Sequence, residues 1–142
     1  MKLQSLLTTK GSQVFTIHPH QTVREAVAVF AQHNIGALVV VDEHGKLVGI
    51  LSERDVMRAL TSHEDVLAHT VNQIMTRRVV VASPDDDLSS VMHTMTEKRF
   101  RHIPVLEQGK LIGIISIGDA VKAQLVEYEG ELETLQTAVE GE

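Results

Sequence analysis

The sequence predicts an α/β fold of the α+β kind: two β-α-β-β-α repeats packed about a pseudo-twofold axis, followed by a helical tail. Three observations predict it. Residues 45–55 read Gly-Lys-Leu-Val-Gly-Ile-Leu-Ser-Glu-Arg-Asp and residues 109–119 read Gly-Lys-Leu-Ile-Gly-Ile-Ile-Ser-Ile-Gly-Asp, identical at seven of eleven positions. The stripe Val23, Ala26, Val27, Phe30 returns 65 residues on as Leu88, Val91, Met92, Met95, with the i, i+3, i+4, i+7 spacing of a helix face. Two copies of roughly 60 residues are too few and too long for most solenoids. At 142 residues and 43% hydrophobic, the chain can bury one good core but is short for two ordinary domains. Two half-domains sharing a core, with ligands in the cleft between them, is the expected arrangement.

Each element has a local reason. Val14–Ile17 is a short β-branched run that ends at His18-Pro19, and Thr22 with Glu25 three residues on is an N-cap signal for the helix that follows. Ala37–Val41 and Leu47–Leu51 read as apolar strands joined by a hairpin turn at Asp42-Glu43-His44-Gly45, and a helix begins near Asp55 and runs through Leu60. The second copy gives a strand at Val79–Ala82 and a helix from about Asp87 to Lys98. Strands at Ile103–Leu106 and Leu111–Ile115 and a helix from Asp119 complete it. The continuous apolar character of the strands implies a sheet covered by helices on at least one face. A leader is duplicated too, since Leu3-Gln4-Ser5-Leu6-Leu7-Thr8 matches Val71-Asn72-Gln73-Ile74-Met75-Thr76. The expected division is therefore residues 1–62 as repeat 1 with its leader, 63–125 as repeat 2 with its leader, and 126–142 as an acidic helical tail.

Charge narrows the partners. The net charge is −6, and six glutamates (127, 129, 131, 133, 140 and 142) follow the last basic residue, Lys122, so residues 1–122 balance at 13 against 13. There is no overall basic face for nucleic acid. Local positive charge at Arg77, Arg78, Lys98, Arg99 and Arg101 suits a phosphorylated small molecule better. The chain has no cysteine, so no disulfide or thiolate chemistry enters. The N-terminus lacks a signal-peptide apolar run, and no stretch approaches a membrane span. A cytoplasmic protein without membrane partners is the expectation.

The chemistry is carried by Gly-x-x-Ser-x-x-Asp, at Gly49, Ser52, Asp55 and again at Gly113, Ser116, Asp119. Each copy sits where a strand ends and a helix begins. Ser and Asp there cap the helix, whose free N–H groups and positive dipole end suit phosphate, and a carboxylate at that place can accept both hydroxyls of a ribose. Capping alone would explain one copy; two copies at equal offset point to a site. The first copy also carries three extra residues around Lys10-Gly11-Ser12, a loop that could offer an ammonium and backbone N–H groups to an anion.

These residues resemble a tandem pair of cystathionine-β-synthase-type (CBS) domains, a Bateman module, over about residues 3–125. The two Gly-h-h-Ser-x-x-Asp segments, Pro19 and Pro84 after the first strands, and the Arg101-His102-Ile103-Pro104-Val105 strand opening carry the likeness, which is closest to the stand-alone bacterial type. The resemblance implies an adenosyl ligand, AMP or another adenine nucleotide such as ADP, ATP or NAD(H), with no metal required. It implies that Asp55 and Asp119 hold ribose hydroxyls, Ser52 and Ser116 reach ribose or phosphate, and Ile50 and Ile114 pack on the base. It also implies crossed clefts. Asp55, with Arg54, would share a site with Val79, Phe100, Arg101, His102 and the strand Ile103-Pro104. Asp119, with Gly118, would share one with Lys10, Gly11, Val14, Ile35 and Gly36.

This chain departs from the pattern at Gly36-Ala37-Leu38-Val39, which stands where the second copy has Arg101-His102-Ile103-Pro104, and at Gly118, the counterpart of Arg54. The cleft of Asp119 should therefore bind phosphate less well. Other candidates are weaker. The histidines at 18, 20, 33, 44, 63, 69 and 93 include no helical i, i+4 pair and show no carboxylate at ligand spacing. Asp85-Asp86-Asp87 precedes a helix, where acids complement the dipole. No serine or threonine lies in a nucleophile elbow, so an enzyme is not expected. The reading is a regulatory adenine-nucleotide sensor, a homodimer signalling to an unidentified protein effector. A ligand-free dimerisation or scaffold module is the alternative. After Asp119 the apolar residues Val121, Leu125, Tyr128, Leu132, Leu135 and Val139 form a heptad stripe, although Gly130 argues against one unbroken helix.

Overall fold

A computed structural model describes residues 1–11 and 13–140. Its elements run α1 (Leu3–Lys10), β1 (Thr16–Ile17), α2 (Val23–His33), β2 (Ala37–Val41), β3 (Leu47–Ser52), α3 (Glu53–Leu60), α4 (Val71–Ile74), α5 (Leu88–Lys98), β4 (His102–Glu107), β5 (Lys110–Ser116) and α6 (Ile117–Glu140), with a 3-10 turn at Val66–Ala68. This is the expected α+β arrangement of two β-α-β-β-α repeats. The chain forms two compact units, one of Gln13–Val80 with Gln108–Ile112, the other of Met1–Ser12, Val81–Glu107 and Gly113–Glu142. Each leader helix thus groups with the strands of the other repeat: α4 with β2 and β3, α1 with β4 and most of β5.

In the unit of residues 13–80, β1 pairs parallel with β2 at Thr16↔Val39 and Ile17↔Val40, and β2 pairs antiparallel with β3 from Ala37↔Ser52 to Val41↔Leu47. Every residue of β2 is buried, as a central strand demands. Its core joins Ile17, Leu38, Val40 and Leu51 of the sheet to Val23, Ala26 and Phe30 of α2, Val56 and Ala59 of α3, and Val71 and Met75 of the leader. Helix α2 starts as its sequence dictates, Thr22 Oγ1 accepting the Glu25 N–H at 3.2 Å, and ends at Asn34 in the left-handed region (φ 53°). The other unit repeats the plan. Leu3, Leu6 and Leu7 of α1, Leu88, Val91 and Met95 of α5, Ile103 and Val105 of β4, Ile115 of β5 and Ala120 of α6 are buried there.

The leaders dock by the same bonds in both units. The Leu3 and Gln4 N–H groups donate to the carbonyls of Asp86 and Pro84 at 3.0 Å each, and the Val71 and Asn72 N–H groups donate to those of Gln21 and Pro19 at 2.8 and 2.9 Å. The loop after each first strand thereby satisfies the open N–H groups that begin a helix. This gives the Pro-containing segments at Pro19 and Pro84 a structural role.

Five expectations change. The strand at Val79–Ala82 shrinks to one parallel bridge, Ala82↔Val105, and the first strand to Thr16–Ile17. Gly130 does not break α6, which runs 24 residues. Asp87 takes the N-cap position of α5 without a side-chain cap; it accepts the Ser89 hydroxyl instead, while Asp86 accepts the Ser83 N–H at 2.8 Å. His93 and Glu97 do lie i, i+4, at 3.4 Å on the exposed face of α5. Among the described residues, however, no group of three metal-ligating side chains exists, and no helix is long and apolar enough to cross a membrane.

Candidate functional site

The two aspartates of the repeated motif are built alike. The chain leaves β3 at Ser52 in extended geometry and turns into α3, and a capping box closes the junction. The Ser52 N–H donates to Asp55 Oδ2 at 2.9 Å, and the Asp55 N–H donates to Ser52 Oγ at 3.2 Å. At the start of α6 the Ser116 N–H donates to Asp119 Oδ2 at 3.0 Å, and the Asp119 N–H donates to Ser116 Oγ at 3.0 Å. Both carboxylates are half-buried. Each uses Oδ2 for the cap, and a carboxylate has about four lone-pair positions, so acceptor capacity remains.

What differs is the leader residue that meets each aspartate. In the unit of residues 13–80, the extended residue after α4 is Thr76. Its N–H and C=O bridge Ile50 at 2.9 and 3.0 Å, and its hydroxyl donates to Asp55 Oδ1 at 3.2 Å. In the other unit the three extra residues lengthen α1 to Lys10, and the Lys10 ammonium reaches the counterpart positions. It donates to Ile114 O at 2.8 Å and pairs with Asp119 Oδ2 at 2.5 Å. Burial pushes Asp119 up, but the Lys10 bond, the Ser116 bonds and the Lys10 charge outweigh it and hold the carboxyl below its usual range.

Lys10 and Gly11 are engaged within their own unit, which differs from the open anion-cradling loop that the sequence suggested. The Gly11 N–H donates to Leu7 O at 2.9 Å and closes α1, with Gly11 at φ 95° as its C-cap, and the Lys10 ammonium faces a carboxylate. Ser12, the third member, lies outside the described residues.

The motif glycines acquire a reason. A Cβ on Gly49 would stand 2.6 Å from Met75 Sδ and 3.0 Å from Thr76 O, and one on Gly113 would stand 2.5 Å from Leu7 Cδ2. Only glycine lets the leader lie this close to the strand that ends at the site.

The remaining candidates divide between the units. Val14, Ile35, Gly36, Ile50, Arg54 and Val79 lie with Asp55; Phe100, Arg101, His102, Ile103, Pro104, Ile114 and Gly118 lie with Asp119, Lys10 and Gly11. Gly36 O accepts the Glu53 N–H at 3.0 Å, and Arg101 O accepts the Ile117 N–H at 2.8 Å. These equivalent bonds tie the start of each second strand to the site helix. Ile103 and Pro104 are buried, so their part is to form β4. Thr76 was missed from the sequence, although the leader alignment placed it opposite Thr8.

Two capping aspartates at equivalent strand-to-helix junctions, on a duplicated β-α-β-β-α frame, define a tandem-repeat module with one such junction per repeat. The CBS domain family model matches residues 7–62 and 71–126, and the chain belongs to the CBS-domain family. It is 32% identical over 123 residues to the CBS domain-containing protein YhcV of Bacillus subtilis, covering 87% of each chain. The crystal structure of the CBS-domain containing protein ATU1752 from Agrobacterium tumefaciens aligns with a TM-score of 0.83 at 40% identity, over 87% of this chain and 92% of that one. The CBS domain pair of protein MJ0100, in complex with 5′-methylthioadenosine and S-adenosyl-L-methionine, aligns with a TM-score of 0.79 at 29% identity, over 89% of this chain and 98% of that one.

Proposed function

We propose that this chain is a regulatory module that binds adenine nucleotides, AMP first among them with ADP, ATP and NAD(H) as further candidates, without catalysis. As a homodimer it would signal the occupied state to a protein effector. The single observation that carries the reading is the pair of half-buried capping aspartates, Asp55 and Asp119, each with carboxylate capacity left over by its capping box. The adenosyl ligands held by the related MJ0100 pair support it. Ribose hydroxyls go to the two carboxylates, and the helix N-termini of α3 and α6 favour a phosphate group.

The test is titration calorimetry with AMP, ADP, ATP, NADH and S-adenosylmethionine. A bound nucleotide stabilises by RT ln(1 + [L]/Kd), about 2.7 kcal/mol at a hundredfold excess over Kd, so the melting point should rise with it. No heat and no melting shift with any of the five would leave the scaffold reading. The Lys10–Asp119 pair favours that second reading at one site, since a carboxylate satisfied by its own chain has less need of a diol.

A further inference from the structure

The last helix leaves an apolar stripe open to water: Val121 is 44% exposed, Leu125 56%, Tyr128 51%, Leu132 65%, Leu135 64% and Val139 73%. From Tyr128 to Val139 every residue is exposed. A helical stretch of about 12 residues without packing is marginal in water, so this face calls for a cover. The stripe steps by four and three residues in alternation, with Leu125, Leu132 and Val139 at heptad positions a and Val121, Tyr128 and Leu135 at d.

Three features say what covers it. Gly130 falls at position f, opposite the seam, and a Cβ there would meet nothing within 4 Å, so the residue that weakens the helix is absent from the contact face. The seam is apolar at all six a and d positions and is therefore complementary to itself in register. The flanks then decide the direction. Position g holds Gln124, Glu131 and Ala138, and position e holds Lys122, Glu129 and Gln136. In a parallel pair each g meets the e five residues on in its mate, so Gln124 meets Glu129 and Glu131 meets Gln136. No acid opposes an acid. In the centred antiparallel pair g meets g and e meets e, which sets Glu131 against Glu131 and Glu129 against Glu129.

We propose that α6 pairs with α6 of a second copy of this chain as a parallel two-stranded coiled coil from Val121 through Val139. The proposal rests on the homodimer reading above and names the element that carries it. The test uses the full chain. Light scattering should give a dimer for the unaltered protein and the mass of one chain for the Leu132→Glu/Leu135→Glu double variant, with nucleotide titration unchanged as proof of folding. Because the chain has no cysteine, Tyr128→Cys should form a disulfide-linked dimer on mild oxidation, whereas Glu133→Cys, at outward position b, should not. A dimer that survives the double variant overturns the coiled coil and leaves the homodimer standing. A monomeric unaltered protein overturns both. Equal cross-linking at the two cysteines, or none at Tyr128→Cys, overturns the parallel register.

Discussion

The Lys10 ammonium does for Asp119 what Thr76 does for Asp55. One nitrogen, 2.8 Å from Ile114 O and 2.5 Å from Asp119 Oδ2, takes the places of the Thr76 N–H at Ile50 O and the Thr76 hydroxyl at Asp55. The repeats thus present the same carboxylate in two states, one beside a neutral hydroxyl and one paired with a cation. Both bonds end on a carboxylate and so on a charged acceptor; what Lys10 adds is the second charge, an ion pair that contributes about 0–1 kcal/mol near the surface. The Lys10 and Asp119 side chains are 27% and 31% exposed, so solvent screening keeps the difference toward the low end.

That difference should appear as ligand selectivity. A ribose diol at Asp119 competes with an ammonium, so adenosine, which brings no charge to replace it, should bind the Asp119 site severalfold more weakly than the Asp55 site. AMP regains the loss because the displaced ammonium can pair with phosphate. Lys10→Met should strengthen adenosine and weaken AMP at that site, and calorimetry of both ligands in an Asp55→Asn background reads the ratio. An AMP-to-adenosine ratio untouched by Lys10→Met would refute the competition.

The same pair sets a pH dependence. Asp119 is held below its ordinary pKa of about 3.9. Its stabilisation is therefore complete above that value and lost as pH falls through the lower folded value. For a partly exposed pair the contribution should stay below about 1 kcal/mol. Denaturant midpoints of the unaltered chain and Lys10→Met should differ most near neutrality and converge in strong acid; a gap that holds constant down to pH 2 would mean that the pair is not its source.

Gly49→Ala should destabilise more than Gly113→Ala. At Gly113 the clash is with a leucine methyl that can turn aside, whereas at Gly49 the backbone carbonyl of Thr76 also lies 3.0 Å away and is fixed by its bridge to Ile50. Overpacking costs typically about 1–3 kcal/mol, roughly 2–4 °C of melting temperature per kcal/mol at this size. The reverse order in thermal melts would mean that the leader at Gly113 is the more rigid.

The repeats, their strands and helices and both capping motifs were legible because each rests on local pattern. Thr22 and Glu25 announce α2, and the Gly-x-x-Ser-x-x-Asp offsets announce α3 and α6. Long-range docking was legible only through the family resemblance, which set Lys10 in one site with Asp119. Local pattern in Lys10-Gly11-Ser12 does not say that the ammonium will bond the carboxylate itself, because that depends on α1 extending to Lys10 within the second repeat's unit. The short second-copy strand failed for a related reason: Val79–Val81 are β-branched, yet a single bridge at Ala82 is all that β4 accepts there. Gly130 misled because propensity is a weak prior against a run of good helix formers on both sides.

The decisive substitution at each site is asparagine, not alanine. Both aspartates are the N3 partners of capping boxes, so Asp55→Ala or Asp119→Ala should cost about 1 kcal/mol of stability through the lost bond to the Ser52 or Ser116 N–H and would confuse folding with binding. The side-chain oxygen of Asn still accepts the Ser52 or Ser116 N–H, so the cap survives, while the charge that favours a ribose diol is gone. Asp55→Asn and Asp119→Asn should each melt within about 2 °C of the unaltered chain and each remove one AMP site, lowering the calorimetric stoichiometry from two per chain to one. The double variant should bind none. If either single variant keeps two sites at full affinity, its carboxylate does not read the ribose and is a helix cap alone.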